Sequence, residues 1–504
     1  MEDPIKKMSE MPPEYSMMPR NRKDQKLIKT MQYLNELDLP AVVQSPSPET
    51  LAILREAPLS DAGNAERFLS LYYNQYMYAG RDWYQWTGAY WTQIEAMLLY
   101  EPITLTVRYA RSLYEMQGRD DKEIRQTIHS LLVAENQPRL QAVSRLAAAK
   151  VYEPITALDQ NPWLLATPNG TINLRDGSLH EPDPKDRITH ISAAIYDETA
   201  DDGLWSSFLK DVFPDKDIRH WIQKFFGYAA TGLTSEHKFL ILLGEGRNGK
   251  STFINAIAAA LGSYCFTMDP AVLLDTRADT DGSKPTPYLA KLRGIRLAVA
   301  SETRKGRVFN DALIKNITSD DRITARTLHR DPIEFWPTHT LVLMTNYAPE
   351  VTDTEDKGMK ARMVIVPCDS VPQKIDRDLP EKLRQPETQS AILNWLIQGC
   401  KDYQVEGLEP LPDAMSQALD RYYGMNDLLS QFIAEKCVVQ AGKSVLATDF
   451  IDFYNDWRRA NGCFEMKRKT IIESMQRKGY GYSRKHQGWS FEGIGLEYQA
   501  AKIE

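Results

Sequence analysis

Apolar residues along this chain fall into two alternating patterns. Short unbroken runs, FLILL at 239–243, IRLAVA at 295–300, TLVLM at 340–344 and MVIVP at 363–367, have the length and the two-sided apolarity of strands buried in a parallel sheet. Apolar residues spaced three and four apart predict helices over NAERFLSLYYNQYMY, over residues 101–150, over IRHWIQKFFGYAATG and over residues 379–435. In the third of these, Ile218, Trp221, Ile222, Phe225, Phe226 and Ala229 form one stripe, the pattern of an intrachain core helix or of a subunit-packing collar. DWYQWTGAYWTQ alternates aromatics about Gly88 and predicts a hairpin, whose Trp83, Trp86 and Trp91 pack a small sheet or stack on bases. The turn pairs Asn169-Gly170 and Asp176-Gly177 punctuate a further set of short strands.

These patterns divide the chain into a flexible segment 1–60 with one short helix near 24–37, and a mixed α/β domain 61–195. A helical collar 196–235 leads to an α/β core 236–370 with a parallel sheet, then a helical region 371–425 and a domain 426–504. The last reads helix, helix, then paired strands, the order of a winged helix. Within it Lys467, Arg468, Lys469, Arg477, Lys478, Arg484 and Lys485 face one acid, Glu473, between Met466 and His486, although the whole chain of 504 residues has a formal net charge of −7. A local basic surface in an acidic chain is a candidate DNA contact. The five cysteines are scattered without metal-ligand spacing, and no apolar run is long enough to cross a bilayer, so no membrane partner is expected and a cytoplasmic protein in a bacterial host is.

The chemistry begins at LLGEGRNGKSTF. Gly244, Glu245, Gly246, Arg247, Asn248, Gly249, Lys250 and Ser251 fit G-x-x-x-x-G-K-[ST], followed by Thr252. A strand before and a helix after put the loop's amides and Lys250 where phosphates bind, with Ser251 toward magnesium. Glu302, at the end of the next long apolar strand, is the candidate magnesium-side acid, so ATP and Mg2+ are the expected cofactors. Asn346 ends the following strand, where its amide can orient the attacking water, touch the γ-phosphate or merely form a turn. Arg326, His329 and Arg330 crowd a hairpin between ITARTL and IEFW, either a solvated tip or a grip on a phosphate backbone. Lys360 and Arg362 precede the last strand, where a guanidinium can reach a neighbouring subunit's phosphates.

The order GEGRNGKST, YLAKLRGIRLAVASE, IKNITSDDRITARTLHRDPIEFWPTHTLVLMTN and MKARMVIVPC resembles the superfamily 3 helicases. The resemblance is to the helicase half of phage and plasmid primase-helicases related to poxvirus replication helicases, and it extends over roughly residues 60–500. It implies an AAA+-like core, with Lys250 and Ser251 in the phosphate loop and Glu302 as catalytic acid. Asn346 becomes the water-sensing residue, Arg362 the arginine finger, and His329 and Arg330 part of a DNA-gripping hairpin. Ser301 stands where the more distant viral helicases carry a second acid. The implied protein is a ring, a hexamer by family resemblance, that moves on single-stranded and forked DNA and works beside a separate primase or polymerase. About 60 residues precede the matched region, so primase activity is not expected. Two rivals stand beside the helicase: a replication initiator whose ATP use controls origin melting, and a defence-type NTPase that does not act on DNA.

Overall fold

A computed structural model describes residues 46–117, 121–275, 286–304, 306–326, 332–372 and 376–497. They form two compact units, one running to Ala157 apart from Gly88–Tyr90, the other from Leu158 onward. The helix expected near 24–37 lies outside the described residues.

The first unit contains helices α1 (Pro48–Glu56) and α2 (Asp61–Leu71), strands β1 (Tyr76–Ala79), β2 (Asp82–Trp86) and β3 (Trp91–Ile94), helices α3 (Tyr100–Glu115), α4 (Lys122–Val133) and α5 (Gln137–Lys150), and the short strand β4 (Tyr152–Glu153). Its sheet runs β3-β2-β1-β4. The expected hairpin about Gly88 is there, and its aromatics pack: Trp83 and Trp91 are buried, and Trp86 lies 5.5 Å from Trp91 between ring centres. The buried Arg67 donates to Leu54 O at 3.0 Å and Pro58 O at 2.8 Å, so carbonyls at the end of α1 find donors away from water.

The second unit opens with an antiparallel sheet of β5 (Leu164–Thr167), β6 (Gly170–Asn173) and β7 (Ser178–His180). Here the structure departs from the expected boundary near residue 195. Leu165, Ile172 and Leu174 share one hydrophobic core with Trp205, Phe225, Leu240 and Ile397, so these strands belong with the elements C-terminal to them. After α6 (Gly203–Val212), helix α7 (Lys216–Ala230) buries the whole predicted stripe in that core. It packs against α11, Pro386–Glu406. A side chain on Gly227 would lie 2.1 Å from Cys400 N, and one on Gly399 would lie 2.0 Å from Gln223 O. Two glycines thus let the helices cross backbone to backbone, and the stripe read as a possible collar is an intrachain core face.

The central sheet contains β8 (Phe239–Leu243), β9 (Cys265–Met268), β10 (Leu297–Ser301), β13 (Thr340–Thr345) and β14 (Met363–Pro367). Every pairing in it is parallel, and the order is β14-β8-β13-β10-β9. Helix α8 (Lys250–Leu261) follows β8, α9 (Asp311–Ile317) follows β10, and α10 (Lys357–Arg362) leads into β14. Between α9 and β13, strands β11 (Ile323–Ala325) and β12 (Ile333–Phe335) form the expected antiparallel hairpin.

Helix α12 (Asp413–Asn426) precedes a last small core built from α13 (Leu428–Lys436), β15 (Cys437–Leu446), α14 (Ala447–Ala460), α15 (Arg468–Arg477), β16 (Gly481–Lys485) and β17 (Gly488–Leu496). Its antiparallel sheet runs β15-β17-β16. Three basic residues of this part bind the segment between β13 and α10. Arg458 pairs with Glu350 at 2.9 Å, Arg477 with Asp353, and Lys478 with Glu355 at 3.3 Å and Asp427 at 2.7 Å.

The Arg458–Glu350 pair is nearly dry, with the arginine side chain 3% exposed. Removing one member leaves an uncompensated charge, so Arg458→Met is expected to destabilise by about 3–5 kcal/mol, whereas Arg458→Met combined with Glu350→Gln recovers most of it. Thermal melts of these two variants and of Glu350→Gln alone check this; losses that simply add in the double variant would mean that the pair is not coupled.

His339, at the start of β13, is pushed down to about 4 by burial. Its folded pKa lies below the unfolded ~6.5, so its share of stability is full above that value and disappears as the pH falls toward 4. A His339→Leu variant should melt with a shallower loss over that window, and an unchanged slope would contradict it.

Candidate phosphate-binding site

Strand β8 lies between β14 and β13, with Leu243 level with Thr345 and Pro367. Its carboxyl end therefore has a strand on either side, and Gly244 N–H continues the ladder to Thr345 O at 3.3 Å. The loop then turns back on itself. A side chain at Gly244 would meet Cys368 O at 2.2 Å, and one at Gly249, which sits at φ +82°, would meet Val212 at 2.6 Å. Arg247 also has a left-handed backbone, at φ +69°. Two such residues in six fold the loop tightly onto the first turn of α8, whose free amides point out of the helix start.

Lys250 is buried, and its ammonium donates to Gly244 O at 2.6 Å, Glu245 O at 3.1 Å and Asn248 Oδ1 at 2.9 Å, with Asn346 Oδ1 at 3.5 Å. Burial lowers its pKa. Asn248 is itself buried and donates through Nδ2 to Cys368 O, tying the loop to the end of β14. Glu245, Gly246, Arg247 and Ser251 are exposed and Thr252 is half-buried. An arrangement of a loop cramped by glycines, a buried cation and a helix start suits a phosphate chain, with Ser251 as the hydroxyl for a magnesium ion.

Glu302 follows β10, two strand spacings or roughly 10 Å from β8. Its N–H donates to Met344 O at 2.9 Å and its backbone is left-handed at φ +62°, a conformation uncommon for a residue with a side chain. The hydroxyls of Thr303 and Thr345, both buried, lie 2.7 Å apart and 2.7 and 2.9 Å from Tyr347 O, so that their two protons are shared within this triangle, while Tyr347 N–H donates to Thr345 Oγ1 at 3.1 Å. The pair fixes the two chain ends that carry Glu302 and Asn346. Sequence reading missed it, since a threonine ending an apolar run looks like any strand residue. It also missed Arg421 of α12, which with Leu243, Gly244, Asn346, Tyr347 and Tyr422 lines a cleft of about 710 Å³ beside the loop.

Arg362 lies at the other end of the sheet. Met363, the next residue, is level with Phe239 at the start of β8, so a five-residue strand, roughly 16 Å, separates Arg362 from the loop of its own chain. Its guanidinium donates to Gly358 O at 3.1 Å, and its Nε has no hydrogen-bond partner among the described residues. Arg326 is exposed at the start of the β11–β12 tip, while His329 and Arg330 lie outside the described residues. Of the basic residues near the C-terminus, Lys467, Arg468, Lys469, Arg484 and Lys485 are exposed. Arg477 is exposed as well, but it and Lys478, whose side chain is 12% exposed, are both engaged by the acids named above.

Two stretches of the chain match known protein families. Residues 65–214 match the D5 N terminal like family, and residues 242–362 match a family of unknown function, DUF5906. Acanthamoeba polyphaga mimivirus has a relative named "Putative helicase L207/L206", 27% identical over 337 residues that cover 62% of this chain and 34% of that one. "Putative primase C962R" of African swine fever virus (isolate Warthog/Namibia/Wart80/1980) is 26% identical over 361 residues, covering 67% and 37%. "Putative helicase 121R" of Invertebrate iridescent virus 3 is 23% identical over 458 residues, covering 75% and 48%. The matched part is thus about a third to a half of these relatives. The apo structure of the NrS-1 C terminal region (305-718) aligns with a TM-score of 0.40 at 10% identity, over 83% of this chain and 96% of that one. The chain carries D5 N terminal like and DUF5906 domains. Its relatives carry the names of helicases and primases of large DNA viruses. No helix among the described residues is long and apolar enough to cross a membrane.

If Thr303 positions Glu302, Thr303→Val should lower nucleoside-triphosphate turnover roughly 100-fold, the effect of a displaced catalytic group, with nucleotide affinity within about threefold. Thr303→Ser, which keeps the hydroxyl, should restore most of the rate. Steady-state kinetics beside a nucleotide titration decide it, and a fully active valine variant would overturn it.

Proposed function

We propose that the chain is an ATP-dependent DNA helicase motor of a replication system, acting as a homo-oligomeric ring, a hexamer on the family resemblance, that translocates on single-stranded DNA of a phage or other mobile element. The observation that carries this reading is the division of the sheet. The phosphate loop, Glu302 and Asn346 stand at one end, and Arg362 stands at the other, too far away to serve its own loop. A cation with that placement completes a site only on another copy, which is the reason for a ring. The helicase-named relatives support the enzyme class. Primase-named relatives stand beside them, so the reading concerns the motor and leaves primase chemistry to direct assay.

In this reading Lys250 and the loop amides would hold the phosphates of ATP, and Ser251 and Glu302 would hold Mg2+, which would supply positive charge to the phosphates. Glu302 polarises the attacking water and Asn346 orients it. Arg362 of the adjacent copy stabilises the charge that develops on the transferred group. The AAA+ assignment rests on the order of the five parallel strands, which in chain sequence is 5-1-4-3-2. The winged-helix assignment rests on the succession α13, β15, α14, α15, β16, β17 with β17 central. Its exposed Lys467, Arg468, Lys469, Arg484 and Lys485 would meet forked DNA, and the Arg326 hairpin the single strand.

The test is unwinding of a forked substrate with ATP, which Lys250→Ala and Glu302→Gln should both abolish, the latter with ATP binding retained. Mixing Arg362→Ala with Lys250→Ala subunits should create interfaces where both intact halves meet. An arginine supplied in trans is worth ~10³–10⁵ in rate, so hydrolysis should rise well above either parent. Mixed assemblies confirmed by mass that show no gain would sink the shared site, and a wild type that hydrolyses ATP without unwinding any fork would favour the initiator reading.

A further inference from the structure

The hairpin β16–β17 carries a column of aromatic rings that starts in the core and ends in solvent. Phe450 and Phe491, both fully buried, lie 5.2 Å apart between ring centres, and Phe491 lies 5.4 Å from Tyr482. Tyr482 stacks on Trp489 at 4.9 Å with 16° between the planes, and Trp489 is 48% exposed. The strand register puts Tyr482 opposite Phe491 and Arg484 opposite Trp489, so all four side chains stand on one face of the hairpin. Lys485 pairs with Gly488, leaving only His486 and Gln487 in the turn. Two residues close the hairpin immediately beyond Trp489, and the ring beneath it is anchored to the core, so the indole is held stiffly at the tip.

We propose that Trp489 is a stacking platform for an unpaired nucleobase, with Arg484 beside it for the adjoining phosphate, so that this hairpin reads the single-stranded side of a duplex junction. The proposal rests on the reading of the C-terminal domain as DNA-facing and adds to it the structural state of the DNA that is recognised. Tyr482 covers one side of the indole, and the exposed remainder offers a π-face, which any base can stack on regardless of sequence. A base inside a duplex has both faces covered by its neighbours; an unpaired base does not. The surroundings favour nucleic acid over an apolar protein partner. Arg484 is exposed and makes no ion pair among the described residues, Lys485 and His486 are exposed at the tip, and the acid that Lys485 approaches, Glu492, stays 3.9 Å away. A second copy of the chain would instead require apolar neighbours around the indole.

The experiment compares Trp489→Ala and Trp489→Phe with wild type in the full chain, measuring affinity for a single-stranded oligonucleotide and for a covalently closed circular duplex at one salt concentration. Base stacking on an aromatic side chain is worth ~1–3 kcal/mol, so the alanine variant should lose roughly 5- to 150-fold in single-strand affinity. Its affinity for the closed duplex should change less than about twofold, and the phenylalanine variant should keep most of the single-strand affinity. Abasic sites in the oligonucleotide should remove the difference between wild type and Trp489→Ala. The platform is wrong if single-strand affinity stays within twofold in Trp489→Ala, if both DNAs lose equally, or if the substitution instead changes the mass of the assembly. Failure of the broader reading looks different: wild type itself would then bind neither DNA, whereas wild-type binding indifferent to Trp489 removes only the platform.

Discussion

The constraint on which the rest depends is the parallel pairing of β8 on both sides. A strand held between two parallel neighbours ends level with them, and the loops that leave the three strands all start at the same edge. Because β13 and β14 flank β8, the residues after all three are brought together by backbone hydrogen bonds alone: Gly244 donates to Thr345 O, and Cys368 N–H to Leu243 O at 2.7 Å. The phosphate loop is then closed by Asn248 on Cys368, and Lys250 is held by carbonyls of the same loop. The same pairing sets Arg362 at the far edge, because a residue that precedes a parallel strand cannot share an edge with one that comes after it. A single pairing choice thus puts the phosphate loop and Arg362 at opposite edges of one sheet, the separation on which the proposed sharing between copies rests.

The strong signals in the sequence were those written in short, local patterns. Four of the five sheet strands show as unbroken apolar runs because both of their faces are covered, and the phosphate loop shows because its glycines are required by space and backbone angle. Strand β9, CFTM, lies at the sheet edge with half-buried and exposed positions, so it has no such run. The domain boundary was placed too late because turn pairs mark where strands reverse, and say nothing about which core the strands join; Leu165 and Ile172 join the later one. Charge counting read seven basic residues as one surface. It could not show that Arg477 and Lys478 are bound by Asp353, Glu355 and Asp427, acids 51 to 124 positions earlier in the chain. Thr303, Thr345 and Trp489 carried no signal, since each takes its meaning from a neighbour across a sheet.

Those long-range charge pairs say how the C-terminal domain can be felt at the candidate phosphate site. Arg458, Arg477 and Lys478 all reach the stretch Glu350–Glu355, and this stretch begins four residues after Asn346 and leads into the helix that ends at Arg362. Glu350 is fixed further by its backbone, which exchanges hydrogen bonds with Arg307 and Phe309 at 2.8 Å, and Pro349 O accepts from the buried Tyr422. The segment is therefore not a slack connector. It is held by the sheet at one end, by α12 in the middle and by the C-terminal domain along its length. A displacement of that domain is resisted at Glu350 by a desolvated ion pair, which tolerates little change in geometry before its Coulomb energy no longer offsets the lost hydration. The outer pairs at Asp353 and Glu355 are wetter and yield more easily. Motion passed inward from the basic surface would thus shift the Arg362 end of the segment more readily than the Asn346 end, moving Arg362 before it disturbs the chain's own phosphate loop.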